Sequence, residues 1–108
     1  MRLEHYPVEK LKKDIVRIVS KYLDIGKYRV FFFGSRVAGT GTERSDIDIG
    51  IDGLKPVPFN TLLNIRSEIG ELPVLYKIDV IDFGSASGSF RNVASKKVEF
   101  ITKVKKQI

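Results

Sequence analysis

Asp46 and Asp48 stand two residues apart in the run Asp-Ile-Asp-Ile-Gly-Ile-Asp over 46–52. Strict alternation of this kind predicts a β-strand with Ile47, Ile49 and Ile51 on one face and Asp46, Asp48, Gly50 and Asp52 on the other. Cα atoms two apart on a strand are separated by about 6.5 to 7 Å, and their side chains run parallel. Two carboxylates so placed can share a hard cation such as Mg²⁺, or hold two cations about 4 Å apart. Without a cation, their repulsion raises one pKa or opens the strand. The competing reading is a solvated acidic face, although aspartate is disfavoured in strands and a plain polar face more often carries Thr or Lys. Gly50 either leaves room for a ligand on that face or marks a bulge.

A second constellation lies ten residues upstream. Gly34-Ser35 ends an apolar run and precedes a short helical turn, so Ser35 can cap that turn and the free N–H groups there can hold an anion. Alone, such a pair is also an ordinary turn. Together with the aspartates it sets an anion site opposite a cation site across one small cleft, an arrangement suited to a nucleoside triphosphate. Other phosphate and metal motifs fail on inspection. Residues 34–41 lack the Gly-Lys-Ser/Thr ending of a P-loop, and Gly39-Thr40-Gly41 lacks the third glycine of a dinucleotide fingerprint. An EF-hand register from Asp46 puts Gly50 at a ligand position, Ile51 at the glycine position and Val57 at the glutamate position.

The elements that must position these residues follow from hydrophobic period. Val8, Leu11, Ile15, Ile18, Val19 and Tyr22 recur at helical steps and predict a helix over 8–23, ended by Gly26 as a left-handed cap. Residues 28–33 are β-branched and aromatic and predict a buried strand. A turn of helix from Arg36 and a loop to Ser45 lead into the 46–52 strand, and 53–58 is a linker. A helix over 59–69, a strand over 73–83 and a last helix over 89–103 complete the order. In the 73–83 strand, Lys77, Asp79 and Ile81 share one side. Tyr6, Tyr22, Tyr28, Phe59 and Phe90 fall at core or near-core positions, so none reads as an adenine platform. The expected fold is a small α/β (α+β) layer: a mixed sheet of three or more strands with helices on one face and Asp46, Asp48 and Asp52 projecting from the other.

Composition bounds the function. The chain has 108 residues and a net charge of +6, which suits one domain over 1–108. It has no cysteine and one histidine, His5, which excludes thiolate metal sites and leaves the usual zinc and Ser-His-Asp chemistries without ligands. No run approaches the roughly 20 apolar residues of a membrane span, so the expected location is the cytoplasm. Residues 30–90 hold eight acids against five bases, while the flanks are basic. Lys96, Lys97, Lys103, Lys105 and Lys106 have no stacking aromatics among them, so they read as a solvated face rather than a nucleic-acid surface. An uncovered sheet edge leaves a homo-oligomer or a partner complex open.

Gly34-Ser35-Arg36, nine residues over 37–45, and then Asp46-Ile47-Asp48-Ile49-Gly50-Ile51 resemble the signature of the DNA polymerase β-type nucleotidyltransferases. With the later Ile78-Asp79-Val80-Ile81-Asp82, the chain closely resembles the minimal nucleotidyltransferases, small single-domain proteins often encoded beside a HEPN-domain protein. The resemblance implies that Asp46 and Asp48 bind divalent metal, with two Mg²⁺ ions expected, and that Gly34 and Ser35 touch the triphosphate of ATP or another nucleoside triphosphate. Ser45 and Arg36 join the nucleotide-binding group, with a surface pairing of Arg36 to Glu43 or Asp52 as the alternative. The third carboxylate, which takes the acceptor's proton or helps hold metal, matches Asp79 better than Asp82. The resemblance further implies AMP transfer to a tyrosine of a HEPN-domain RNase toxin, which makes the chain an antitoxin. The alternative is a binding module that neutralises its partner by occlusion and keeps a vestigial or regulatory nucleotide site.

Overall fold

The computed structural model of the chain describes residues 1–84 and 97–102. Its elements are α1 (Val8–Ser20), β1 (Tyr28–Phe33), α2 (Ser35–Ala38), β2 (Ile47–Gly53), α3 (Phe59–Gly70), β3 (Ile78–Asp82) and β4 (Glu99–Phe100). The four strands form one mixed sheet in the order β3-β2-β1-β4, with β1 antiparallel to β2 and β4 and with β2 parallel to β3.

One sheet face carries the main core. Val30 and Phe32 of β1, Ile47, Ile49 and Ile51 of β2 and Val80 of β3 pack with Leu11, Ile15, Ile18 and Val19 of α1 and Leu62, Ile65 and Ile69 of α3. These are the residues that period-two and helical-period readings assign inward, and their burial supplies most of the drive for folding. At their far ends the two helices are tied together through Glu68, which accepts hydrogen bonds from Lys21 Nζ (2.6 Å) and Tyr22 Oη.

The expected boundaries need several corrections. α1 ends at Ser20, and Lys21 closes it in right-handed conformation, so Gly26 is not its cap. Among the described residues only Gly34 and Gly39 have positive φ. Gly26 instead sits in a turn in which its N–H bonds to Asp24 Oδ1 at 3.0 Å. β3 is shorter than the 73–83 expectation because β2 offers it no partner residues before Ile47, which pairs with Ile78. Most of the expected 89–103 helix lies outside the described residues. Within them, Glu99–Phe100 are strand and not helix, pairing with Phe32 and Phe31 of β1. Glu99 is held there by the amino terminus and by Lys12 Nζ at 3.2 Å. Burial would raise the Glu99 carboxyl, but these cationic partners outweigh it and leave the group below its ordinary value.

The second face is not simply acidic. The cross-strand register lays it out in rows: Phe33, Asp48 and Asp79 in one, Phe31, Gly50 and Ile81 in the next. Phe31, Phe33 and Phe83 are buried together, with Phe83 edge-on to both others at centroid separations of 5.2 and 5.0 Å. Gly50 therefore neither makes room for a ligand nor forms a bulge: a Cβ there would sit 2.4 Å from the Phe31 ring, which fills the space. Asp52 is buried on this face in an ion pair with Arg29. The near-core expectation also fails for Phe59, 71% exposed, and for Tyr22, 37% exposed, while Phe90 lies outside the described residues.

Candidate active site

The carboxylates gather where β1 ends and β2 begins. Asp48 and Asp79 are register partners on adjacent parallel strands, so their side chains leave the same face about 5 Å apart at the backbone. Asp46 lies one side-chain repeat before Asp48, at the mouth of β2, half exposed and 3.9 Å from Lys77 Nζ. Burial raises the Asp48 carboxyl above its ordinary value, and the neighbouring Asp79 and Asp46 carboxylates raise it further. A carboxylate crowded by two others in this way fits a divalent cation, whose charge would offset theirs.

Asp82 takes no part in this group. It lies on the opposite parity of β3, buried, where its side chain accepts the Val57 N–H at 2.8 Å and the Gly84 N–H at 2.9 Å. Its work is to hold the β2–α3 connection and the end of β3 in place.

Gly34 connects the turn to the carboxylates. Its φ of 83° and ψ of −164° lie in a region open essentially to glycine alone. A Cβ at this position would fall 2.2 Å from Asp48 Oδ2, so the Gly34 backbone lies directly against the carboxylate. The chain can leave β1 in this direction, beside Asp48, only because residue 34 has no side chain. Ser35 is then the first residue of α2 and does not cap it: the cap position is Gly34, with no side-chain bond. The Ser35 hydroxyl faces Gly41, where a Cβ would approach it to 3.0 Å, and the Ser35 carbonyl accepts the Thr40 and Gly41 N–H groups at 3.1 and 3.0 Å.

The loop over 39–45 is more ordered than its composition suggests. Ser45 Oγ accepts the Thr42 N–H at 2.9 Å, and the Ser45 N–H returns to the Thr42 carbonyl at 3.0 Å. Arg36 pairs with neither the Glu43 nor the Asp52 carboxylate. It donates through Nε to the Ser45 carbonyl (2.7 Å) and through Nη2 to the Glu43 carbonyl (2.8 Å), and its guanidinium lies 4.7 Å from the Tyr76 ring centre. An open pocket of about 200 Å³ adjoins it, lined by Arg2, Arg36, Gly39, Gly41, Thr42 and Glu43.

One group escaped the sequence reading. Ligand atoms of Glu4, His5 and Glu43 lie within 4.8 Å of one another, all three residues exposed. No local spacing signals it, because Glu43 is nearly forty residues from the other two. Asp46, Asp48 and Asp79 do not close to that distance, as like charges without a cation between them would not.

A mixed sheet that delivers clustered aspartates beside a constrained glycine-serine turn defines a class, the nucleotidyltransferases. The chain belongs to the Polymerase beta, Nucleotidyltransferase family, whose model matches residues 13–107. It is 28% identical over 88 residues to the probable protein adenylyltransferase MntA of Haemophilus influenzae, covering 80% of this chain and 77% of that one. Its fold is also that of two solved structures. One is a toxin–antitoxin crystallised with AMP-PNP (TM-score 0.68, 18% identity), and the other is a mutant of the toxin–antitoxin MntA-HpeT (TM-score 0.67, 17% identity). Each alignment covers 86% of this chain and 73% of the other. The chain is thus a minimal nucleotidyltransferase of the polymerase β-like superfamily, as its motifs imply. No helix among the described residues is long and apolar enough to cross a membrane.

Proposed function

We propose that the chain is the antitoxin of a toxin–antitoxin pair and transfers AMP from ATP to a hydroxyl, a tyrosine side chain, on a HEPN-domain toxin, in the presence of Mg²⁺. The observation that carries the proposal is that Asp46, Asp48 and Asp79 project from one side of the sheet at one end, with Asp48 hard against Gly34. The name of the Haemophilus relative and the toxin–antitoxin neighbours support the acceptor class.

Asp46 and Asp48 would hold divalent cations, with Asp79 as third donor. Cations held there would supply charge stabilisation for an in-line displacement. Gly34 and Ser35 receive the triphosphate beside Asp48. Asp79 takes the proton of the acceptor hydroxyl as its oxygen bonds to the α-phosphorus, and the bond to pyrophosphate breaks. The toxin itself brings the acceptor hydroxyl to this face.

Incubation of the purified protein with Mg²⁺ and α-labelled ATP, with and without the toxin, tests the proposal. Label should become covalently attached to the toxin and be absent with Asp46→Asn. A tight complex that neutralises the toxin without label would establish occlusion instead.

A further inference from the structure

Arg36 sits between the two halves of the site. It follows Ser35 in the chain, yet its Nε and Nη2 bond to the carbonyls of Ser45 and Glu43 at the far end of the loop, and Ser45 immediately precedes Asp46. The guanidinium is stacked on Tyr76, in the segment that delivers Lys77 and β3 to the same edge. Tyr76 is in turn contacted by the N-terminal segment, since its Oη accepts the His5 N–H at 3.2 Å and the His5 ring stacks on it at 6.4 Å between centroids. Lys77 then passes the constraint to β2, because its carbonyl accepts the Ile47 N–H at 2.9 Å. One planar fork thus joins α2, the loop exit and the approach to β3.

We propose that Arg36 is a positioning residue: it fixes the backbone on which Asp46 is mounted relative to the Gly34-Ser35 turn, and Tyr76 holds its guanidinium in plane. The inference rests on the metal-binding reading of Asp46 and Asp48. It departs from the phosphate-contacting role expected from the motif, because the two nitrogens named are engaged by main-chain carbonyls. Arginine suits the task where lysine does not, since two carbonyls in fixed relation need a rigid pair of donors, and a flat cation stacks on a ring. In metal sites, residues that orient the ligands typically govern affinity by about 10- to 100-fold.

The test is Mn²⁺ binding to the nucleotide-free protein, followed by electron paramagnetic resonance, with ATP binding measured separately without metal. Asp46→Asn is the control for the site and thermal melting the control for folding. Arg36→Ala and Arg36→Lys should each weaken Mn²⁺ binding by about tenfold with the protein still folded at the assay temperature and metal-free ATP affinity unchanged. Tyr76→Leu should weaken Mn²⁺ binding in the same direction, and Tyr76→Phe should restore it. Should Arg36→Ala fail to fold, Arg36→Lys carries the test. Unchanged Mn²⁺ affinity with weakened ATP binding would make Arg36 a phosphate ligand and overturn the proposal alone. Wild-type Mn²⁺ binding that Asp46→Asn does not diminish would overturn the metal reading and this proposal with it.

Discussion

At the scale of single residues, Gly34 and Asp48 form one unit. A methyl group at position 34 meets both a forbidden backbone region and the Asp48 carboxylate 2.2 Å away. Gly34→Ala should therefore destabilise the fold by about 1 to 3 kcal/mol. It should also cut transfer by at least about a hundredfold, the effect of displacing a reacting group by an ångström, as measured in a single-turnover assay. Asp48 itself carries a cost. Its carboxyl is raised in the folded chain, first by burial and then by Asp79 and Asp46, so its ionisation opposes folding. Stability is complete when the group is protonated, below its ordinary value of 3.8, and is lost as pH rises through the raised value. Metal-free Asp48→Asn should melt a few degrees above wild type at neutral pH, with the gap closing in acid, while transfer is abolished. The presence of the aspartate pair and the Gly-Ser turn was legible in sequence, because strand parity and motif are local. The contact between Gly34 and Asp48 was not, since β1 and β2 meet only through their register. The carbonyl partners of Arg36 were hidden for the same reason, as main-chain acceptors leave no side-chain signature.

At the scale of elements, β3 is an edge strand among the described residues, with a guard. Arg66 of α3 reaches over it and donates Nε and Nη2 to the Val80 carbonyl at 3.1 and 2.8 Å. That carbonyl points away from β2, because Lys77 O and Phe83 N, of the opposite parity, are the groups that bond to it. Arg66→Met should leave the acceptor open, lowering stability by about 1 to 2 kcal/mol in chemical unfolding. It should also promote self-association in sedimentation, as unprotected edges do. The pairing of β1 with β2 depends likewise on Gly50, over which the Phe31 ring lies. Gly50→Ala overpacks that row and should cost about 1 to 3 kcal/mol in the same measurement. Neither Gly50 nor β4 was readable along the chain. A glycine on an acidic strand looks like space for a ligand until the aromatic ring from the next strand is placed. Val98 and Ile101 match a helical step as well as they match a strand end, and only pairing with β1 decides between them.

At the scale of the whole molecule, the period-two and helical-period patterns recovered α1, β1, β2 and α3 and the core between them, because burial on one face writes itself into local spacing. The same patterns read only aspartates and Gly50 on the other face of β2 and did not show the aromatic rings that pack over Gly50. That face is divided, with an aromatic cluster around Phe83 behind an acidic end formed by Asp46, Asp48 and Asp79. The division separates the two late aspartates: Asp79 stands with the acidic end, and Asp82 is turned into the opposite layer to bond the backbone at Val57 and Gly84. The chemistry therefore turns on which of the two takes the acceptor's proton. The most direct measurement is single-turnover transfer of label from α-labelled ATP to the toxin by Asp79→Asn and Asp82→Asn, each normalised to folded protein. Asp79→Asn should lose transfer while Asp82→Asn, though less stable, keeps it. Transfer retained by Asp79→Asn and lost by Asp82→Asn would contradict the site described above.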